Sequence, residues 1–529
     1  MHPLHIRLAL ALVSVAVLLA ALEASPPGRR FHLERLLPRL LTAVAAGNLL
    51  FVAFLWYAHS RCPFALELME SSVLQHVLRA LHHQPIYAAA RPGFVPFAYN
   101  PLYYYAVLPL VGLFGPGLFA LRLLAVLGAL GATLVVHVAV SGRTGSRWWG
   151  LMAAGLFAAA YHTMDSYLDM AHSDSLMIFA ALLGTWLIGR HRSRAGDWAG
   201  LLVLIAAFWF KQHGAFFALG GALYLTWRDG WRRSWGYWAA LLLLGPALYV
   251  FAGPALFGPG FHFYTWDVPR HWSRLDAGTL VRLLTYFGRW YVVLLVSAAV
   301  WFVRRGRTDG RQAPDALAFQ LPFAILTAFQ GALDAGSSDN VFIGLGTWLI
   351  LAGTLGIHAL GRRTGPAGGP RLARLALLCS FALLAYDPRS VLPPPGAVGK
   401  YEELRRLVRA LPGSTYAPDI GPLPDAPGAV PAAHWIALDD LLRARARDSL
   451  TVEAVLAPAL HPPGRAWLLT YRRLASYPCF RSLERRYVLD ADFGDRFVAV
   501  APLLRRFHQG WPRYLYRYAP DAAAAASRP

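Results

Sequence analysis

The amino-acid sequence predicts an all-α polytopic membrane protein of about eleven to twelve transmembrane helices, followed by a small C-terminal α/β domain outside the membrane. Three observations predict it. Hydrophobic residues make up 56% of the 529-residue chain, charged residues only 15%, and the mean hydropathy is +0.40; soluble domains carry about 25% charged residues. Apolar runs approaching the roughly 20 residues that cross a bilayer recur as far as residue 386. The basic residues, which give a formal charge of +21, are almost all Arg and gather in every second loop between those runs. That alternation is the signature of loops retained in the cytoplasm. No basic face belongs to a soluble domain, so the charge does not predict nucleic-acid binding.

Taken in order, the expected spans are 5–22, 40–58, 117–140, 148–167, 175–190, 198–210, 213–228, 236–257, 280–303, 316–333, 341–360 and 372–386. Residues 1–39 read as an N-terminal span and a basic cytoplasmic loop. The first apolar run has the length of a signal peptide. The basic segment after it, Arg29, Arg30, Arg35 and Arg39, stays cytoplasmic only if that run is a retained span. Residues 40–386 read as the transmembrane domain, with a large first external loop at 59–116. Spans 198–210 and 213–228 are short for a core of about 30 Å at about 1.5 Å per residue, and fit best buried between other helices. Joining them into one span would break the charge alternation. Residues 387–529 open on Pro393-Pro394-Pro395-Gly396 and continue with a helical pattern at 399–411 and short apolar runs at 428–438, 465–471 and 496–501. This is the α/β domain, placed on the outer side with the first loop. Cys62 and Cys479 could pair only on an oxidising side, and unpaired thiols are the plainer reading; Cys379 falls inside a span.

The first external loop carries the most chemistry. Glu67 and Glu70 are three residues apart and share a helix face, above an apolar stripe that suits a helix lying at the interface. Such carboxylates act as general bases, bind a divalent cation, or are merely solvated. Tyr99 and Tyr103 belong to an aromatic stretch that either anchors at headgroups or lines a groove. Asp174, with His172 before it, either caps a helix or serves a site. Lys211 sits on the outer side against the charge trend, where a cation either holds a phosphate or snorkels to the interface. Gln212 and His213 adjoin it. Asp339 and Asn340 precede a span and read as caps or ligands. Arg270, His271 and Arg274 form a basic aromatic loop that suits headgroups. No His pattern has metal spacing and no Gly-rich nucleotide loop follows a strand.

Glu67-Leu68-Met69-Glu70, Gln84-Pro85-Ile86-Tyr87, Phe94-Val95-Pro96-Phe97 and Tyr99-Asn100-Pro101-Leu102-Tyr103, together in one loop, resemble the GT-C-type membrane glycosyltransferases. The nearer resemblance is to bacterial relatives of the dolichyl-phosphate-mannose protein mannosyltransferases and lipid A aminoarabinose transferases. His172-Ser173-Asp174-Ser175-Leu176, Lys211-Gln212 and Ser337-Ser338-Asp339-Asn340 extend it, as do Phe114-Gly115-Pro116 and Leu121-Arg122-Leu123-Leu124. Two positions depart from the family habit: Asn100 stands for a Pro and His172 for an Arg. The resemblance implies a GT-C-like fold in the bacterial cytoplasmic (inner) membrane, among membrane lipids, with its active site and C-terminal domain on the outer face. It implies transfer of a hexosyl or pentosyl group, with inversion, from a polyprenyl-phosphate donor to a lipid, glycan or protein acceptor. Glu70, then Glu67, and next Asp174 would be catalytic. Lys211, Gln212, His172, Tyr99, Tyr103, Asp339 and Asn340 would bind substrate. The resemblance fixes no cofactor, and the acid could instead hold a divalent cation. A multi-span transporter or flippase is the alternative, together with a catalytically degenerate relative. The absence of a repeat argues against the first, and the intact Glu67/Glu70 pair against the second.

Overall fold

The computed structural model describes residues 27–190, 193–308, 315–334, 337–362, 368–419, 429–430, 433–444, 449–501, 503 and 511–520. The expected span 5–22 lies outside the described residues. The first helix, α1 (Pro27–Ser60), runs 34 residues through Pro38. The segment expected as a basic loop up to residue 39 is therefore already helical from residue 27. Leu and Arg are good helix formers, and a Pro within a spanning helix is tolerated where neighbours satisfy the freed backbone.

The first external loop contains α2 (Glu70–Leu81), amphipathic as expected, with Val73, His76, Val77 and Ala80 buried, and the short α3 (Leu102–Phe114). Then come α4 (Leu118–Thr144), α5 (Arg147–Ala159), α6 (Asp174–Arg190), α7 (Arg194–Phe210) and α8 (Gly214–Asp229). The two short spans are separate helices, as the charge alternation requires. The expected span 148–167 ends early: the chain leaves α5 at residue 159 and turns irregularly to 173. Asp165 and Ser166 take left-handed φ values of 55° and 63° there. Nearly every residue of this stretch is buried, so its polar groups depend on protein partners.

Helix α9 (Trp231–Phe257) is π-helical from Leu243 to Ala252 around Pro246. The expected span 280–303 is two helices, α10 (Ala277–Trp290) and α11 (Val292–Thr308), bent by 92°. The bend suits α10, whose Thr279, Tyr286, Phe287 and Trp290 are buried while Leu280, Val281 and Leu284 are exposed. Such a division suits a helix lying along an interface. The bundle closes with α12 (Ala316–Leu333), α13 (Ile343–Gly361) after a 3₁₀ turn at Asp339–Phe342, and α14 (Gly368–Leu384). By length and composition, five stretches can cross a membrane: Arg35–Ser60, Leu118–Thr144, Trp231–Phe257, Ala316–Leu333 and Asp339–Gly361; the bent pair makes a sixth. The total stays below eleven by this measure because α5 to α8 have only 13 to 17 residues each.

The C-terminal part holds α15 (Ala397–Ala410), β1 (Ser414–Tyr416), β2 (Ala429–Val430), α16 (Trp435–Ala444), α17 (Ser449–Leu460), β3 (Ala466–Thr470), β4 (Tyr487–Asp492) and β5 (Tyr514–Tyr518). The sheet order is β2-β1-β3-β5-β4. β1 pairs in parallel with β2 and β3, while β5 is antiparallel to β3 and β4. Helices α16 and α17 lie in the crossover that a parallel connection needs. The expected run 496–501 is no strand; it contains a 3₁₀ turn at Val498–Val500.

This part is stitched to the first external loop. Cys62, Phe64 and Leu66 share a buried cluster with Tyr401, Leu404, Trp467 and Leu469. The amide of Leu503 donates to the carbonyl of Leu66 (2.9 Å), and Trp272 Nε1 donates to Asp440 Oδ1 (2.9 Å). Cys62, Cys379 and Cys479 are free thiols.

Candidate active site

Glu70 opens α2 and is fully buried. Both its oxygens are engaged by Arg122 of α4, through Nη2 at 2.5 Å and Nε at 2.9 Å. It also accepts from the amides of Leu66 (2.7 Å), Glu67 (3.3 Å) and Ala171 (2.8 Å). Arg122 spends its other donors on the carbonyls of His59, Cys62 and Phe64. Although burial opposes ionisation, Arg122 and these donors hold the Glu70 carboxyl below its usual range. Such an acid is a strut. It ties the loop to α4, and it has neither a free lone pair nor the basicity to take a proton from substrate.

Glu67 is different. It is 1% exposed, accepting from the Met69 amide (2.7 Å) and from the Tyr167 hydroxyl (3.2 Å). No cation pairs with it among the described residues. Burial, reinforced by the Glu70 charge, pushes its pKa up to about 8. Arg122 thus gives Glu70, which the sequence ranks ahead of Glu67, the lower pKa of the two.

Around Glu67 lies a second group. Asp174, at the start of α6, accepts from Lys211 Nζ (2.6 Å) and Asn340 Nδ2 (3.3 Å) on one oxygen and pairs with His172 Nδ1 (2.7 Å) on the other. A carboxylate only accepts, so His172 carries its proton on Nδ1. The His172 ring meets Tyr99 and Tyr167 edge-on, with centroids 4.9 and 5.3 Å apart. Asp174, His172, Lys211 and Asn340 are all more than nine-tenths buried. Four distant stretches of chain thus meet at one place: the first loop, the irregular segment before α6, the α7–α8 turn, and the 3₁₀ turn before α13.

Other expected residues make contacts within the protein. Gln212 Nε2 donates to the carbonyl of Ala98 (2.8 Å), and Asn100 Nδ2 donates back to the carbonyl of Phe208 (2.6 Å). Phe208 lies in the last turn of α7, where carbonyls lack helical partners, so the pair clamps the first loop to the turn that carries Lys211. Tyr103 donates to the carbonyl of Leu121 (2.8 Å). Asp339 accepts from Arg282 Nη2 (3.3 Å). Arg122 and Tyr167 receive no role from the sequence patterns. Arg122 had a signal, namely a cation at the outer end of a span against the charge trend, which is the argument that found Lys211.

Among the described residues, no group of three or more His, Cys, Asp or Glu side chains is placed to hold a metal ion. The oxygens of Glu70 are spent on Arg122.

No protein-family model matches the chain, and no curated protein does. Solved structures do. ArnT from Cupriavidus metallidurans in the apo state superposes with a TM-score of 0.53 at 13% identity, over 91% of this chain and 99% of that one. ArnT bound to undecaprenyl phosphate superposes with a TM-score of 0.50 at 14% identity, over 90% and 98%.

The chain has the ArnT fold.

ArnT is a lipid A aminoarabinose transferase of the GT-C fold, the fold that the loop motifs lead one to expect. The likeness runs through the C-terminal sheet as well as the helices, since nearly the whole of ArnT is covered. With its apolar spans, this ArnT-like chain is an integral membrane protein.

Proposed function

We propose that this protein is a membrane glycosyltransferase that moves a sugar from a polyprenyl-phosphate donor to a hydroxyl-bearing acceptor at the outer face of a bacterial inner membrane. One observation carries the reading: Glu67, a buried carboxyl with no cationic partner among the described residues and a pKa near 8, stands beside the Lys211–Asp174–His172 chain. The ArnT fold supports it, because one of those structures holds undecaprenyl phosphate.

In the proposed step Glu67 takes the proton of an acceptor hydroxyl. The freed oxygen forms its bond to the anomeric carbon as the carbon–oxygen bond to phosphate breaks, and the polyprenyl phosphate leaves with the electron pair. Attack opposite the leaving group inverts the anomeric carbon. Lys211 has three donors on its ammonium; one goes to Asp174, and the others are available to the departing phosphate. Asp174 holds Lys211 and the His172 tautomer in place. No step needs a cation or cofactor.

The test uses purified protein in nanodiscs with a panel of radiolabelled polyprenyl-phosphate sugars and membrane extract as acceptor. Transfer by the wild type that is lost in Glu67→Gln is the expected result. No turnover and no saturable donor binding across the panel would sink the reading.

A further inference from the structure

The stretch from residue 160 to residue 173, between α5 and α6, is neither helix nor strand, yet nearly all of it is buried. Among the described residues, three that are not glycine have a left-handed φ, and two of them, Asp165 and Ser166, are adjacent here. An L-residue is unfavourable in that region, so such a pair persists only where its surroundings hold it. The next residue is Tyr167, whose hydroxyl donates to Glu67 Oε1 (3.2 Å). The strained turn thus delivers a side chain to the proposed base.

Anchors lie on both sides of it. Upstream, the Thr163 carbonyl accepts from the Tyr286 hydroxyl (2.5 Å), and the Thr163 hydroxyl meets that of Tyr291 (2.9 Å) at the bend between α10 and α11. Downstream, Asp169 accepts from the Tyr161 hydroxyl (2.5 Å) on one oxygen and pairs with His59 Nδ1 (2.7 Å) on the other. His59 Nε2 faces the Val391 carbonyl (2.8 Å). A carbonyl only accepts, so Nε2 carries a proton, and a second proton lies between Nδ1 and Asp169. His59, Asp169 and Tyr161 are fully buried. None of them takes part in the step proposed above.

We infer that Tyr167 is a positioning residue for Glu67, and that Asp169, held by His59 and Tyr161, fixes where Tyr167 stands. The inference rests on the reading of Glu67 as the base. Glu67 accepts one bond on each oxygen, from Tyr167 on Oε1 and from the Met69 amide on Oε2. Together they fix the plane of the carboxyl and leave each oxygen a lone pair for an acceptor hydroxyl. A donor to a carboxylate also favours its charged form, the form in which a base works. Loss of the Tyr167 bond therefore raises the Glu67 pKa and thins the active form at neutral pH. The charged and titratable groups around Glu67 are otherwise Glu70 of α2, paired with Arg122; Asp174 of α6, paired with Lys211 and His172; Tyr99 of the first loop; and, from the tail, His434 beside Leu68. The variants below change none of them. Deleting a negative charge at Asp169 would by itself lower the Glu67 pKa, so the direction of the change separates positioning from plain electrostatics.

The test follows kcat/KM against pH for the full-length protein in nanodiscs, with the polyprenyl-phosphate sugar that the wild type turns over. Tyr167→Phe should move the acid limb up by about one pH unit, as expected for one hydrogen bond to a charged group. At neutral pH the rate then falls about tenfold, and the gap closes at high pH. Asp169→Ala should move the limb the same way, and the double variant no further than Tyr167→Phe alone. Asp169→Asn can still accept from Tyr161 and donate to His59 Nδ1, so it should restore the wild-type profile. If Asp169→Ala does not accumulate, Tyr161→Phe removes one of the two holds on Asp169 and should move the limb upward by less. Four results would overturn the inference: an unmoved limb in Tyr167→Phe, a rate lowered by one factor at every pH as a merely structural role gives, a limb that moves down in Asp169→Ala, or shifts that add in the double variant. If the wild type shows no turnover, or Glu67→Gln matches it, the reading of Glu67 falls and takes this inference with it. If Glu67→Gln is inactive while Tyr167→Phe matches the wild type, this inference alone is wrong.

Discussion

At the scale of single residues, two glutamates three positions apart have opposite environments, and a cation 52 positions away from Glu70 sets them apart. Glu67→Gln should reduce turnover by about 10²- to 10⁴-fold, the usual worth of a general base, and leave folding intact. Glu70→Gln should act on stability instead. Breaking a buried ion pair costs about 3–5 kcal/mol, read as a lowered Tm or poor accumulation in membranes. If the two variants fold equally well and lose activity equally, the division of labour is wrong. The Glu67 carboxyl titrates near 8, and a base works only when deprotonated. The rate kcat/KM should therefore rise with pH and level off above about 8, and an acid limb near the ordinary value of 4.5 would contradict the burial argument. None of this was legible in the sequence. The spacing of Glu67 and Glu70 shows a shared face, whereas their protonation depends on Arg122 and on burial, which only the folded chain supplies. Lys211 and Asp174 were legible one at a time, because each is a charge at the outer end of an apolar run. That they pair at 2.6 Å was not.

At the scale of elements, the charge alternation between loops located most of the helices, including the separation of α7 from α8. It did not locate their breaks. The stretch 160–167 reads as the end of a span that continues α5, yet Asp165 and Ser166 within it and Asp169 just after it are buried, and Asp169 finds a distant partner, which hydropathy does not register. Asp169 is held by Tyr161 (2.5 Å) and His59 (2.7 Å). The break between α10 and α11 was hidden in the same way, because an interfacial helix and a spanning helix joined end to end give one continuous apolar window. Spin labels at Leu280 and Leu284 of α10 should report nearly one depth, with a label at Leu295 of α11 lying deeper. A depth that increases by about 1.5 Å per residue along α10 would show that α10 crosses the membrane. The clamp between loop and turn is a further element-scale device. Asn100→Ala strands the carbonyl of Phe208 and should cost about 1–3 kcal/mol. Donor affinity should fall with it, since the turn that carries Lys211 loosens. Unchanged donor affinity in a variant with lowered Tm would confine Asn100 to stability.

At the scale of the whole molecule, the C-terminal sheet and the helical bundle form one object joined at the first loop. The seam carries titratable groups. Burial pushes Asp440, at the contact with Trp272, and Asp419, inside the domain, up to about 7. Unfolded, an Asp titrates near 3.8. Both carboxyls are thus better protonated in the folded chain, and the stability they contribute is complete below about 3.8 and lost as pH rises through about 7. Unfolding measured between pH 5 and 8 should show stability falling as pH rises, and Asp419→Asn with Asp440→Asn should flatten the slope. A slope that survives both changes would place its origin elsewhere. The presence of an α/β domain after the Pro-rich linker was legible from the change in composition. Its docking was not, because Leu66, Trp467 and Leu503 are far apart in sequence and carry no mark of contact.

That docking sets an order of assembly. The backbone just before Glu67 is pinned by Leu503, and the ring of His434 packs against Phe97 with centroids 5.9 Å apart. Ribosomes deliver these tail residues last, long after the loop they brace. A nascent chain halted after residue 386 would hold every side chain of the proposed reaction centre and still lack the mould that shapes it. The proposed reaction centre would stay unformed until the last of the tail has docked.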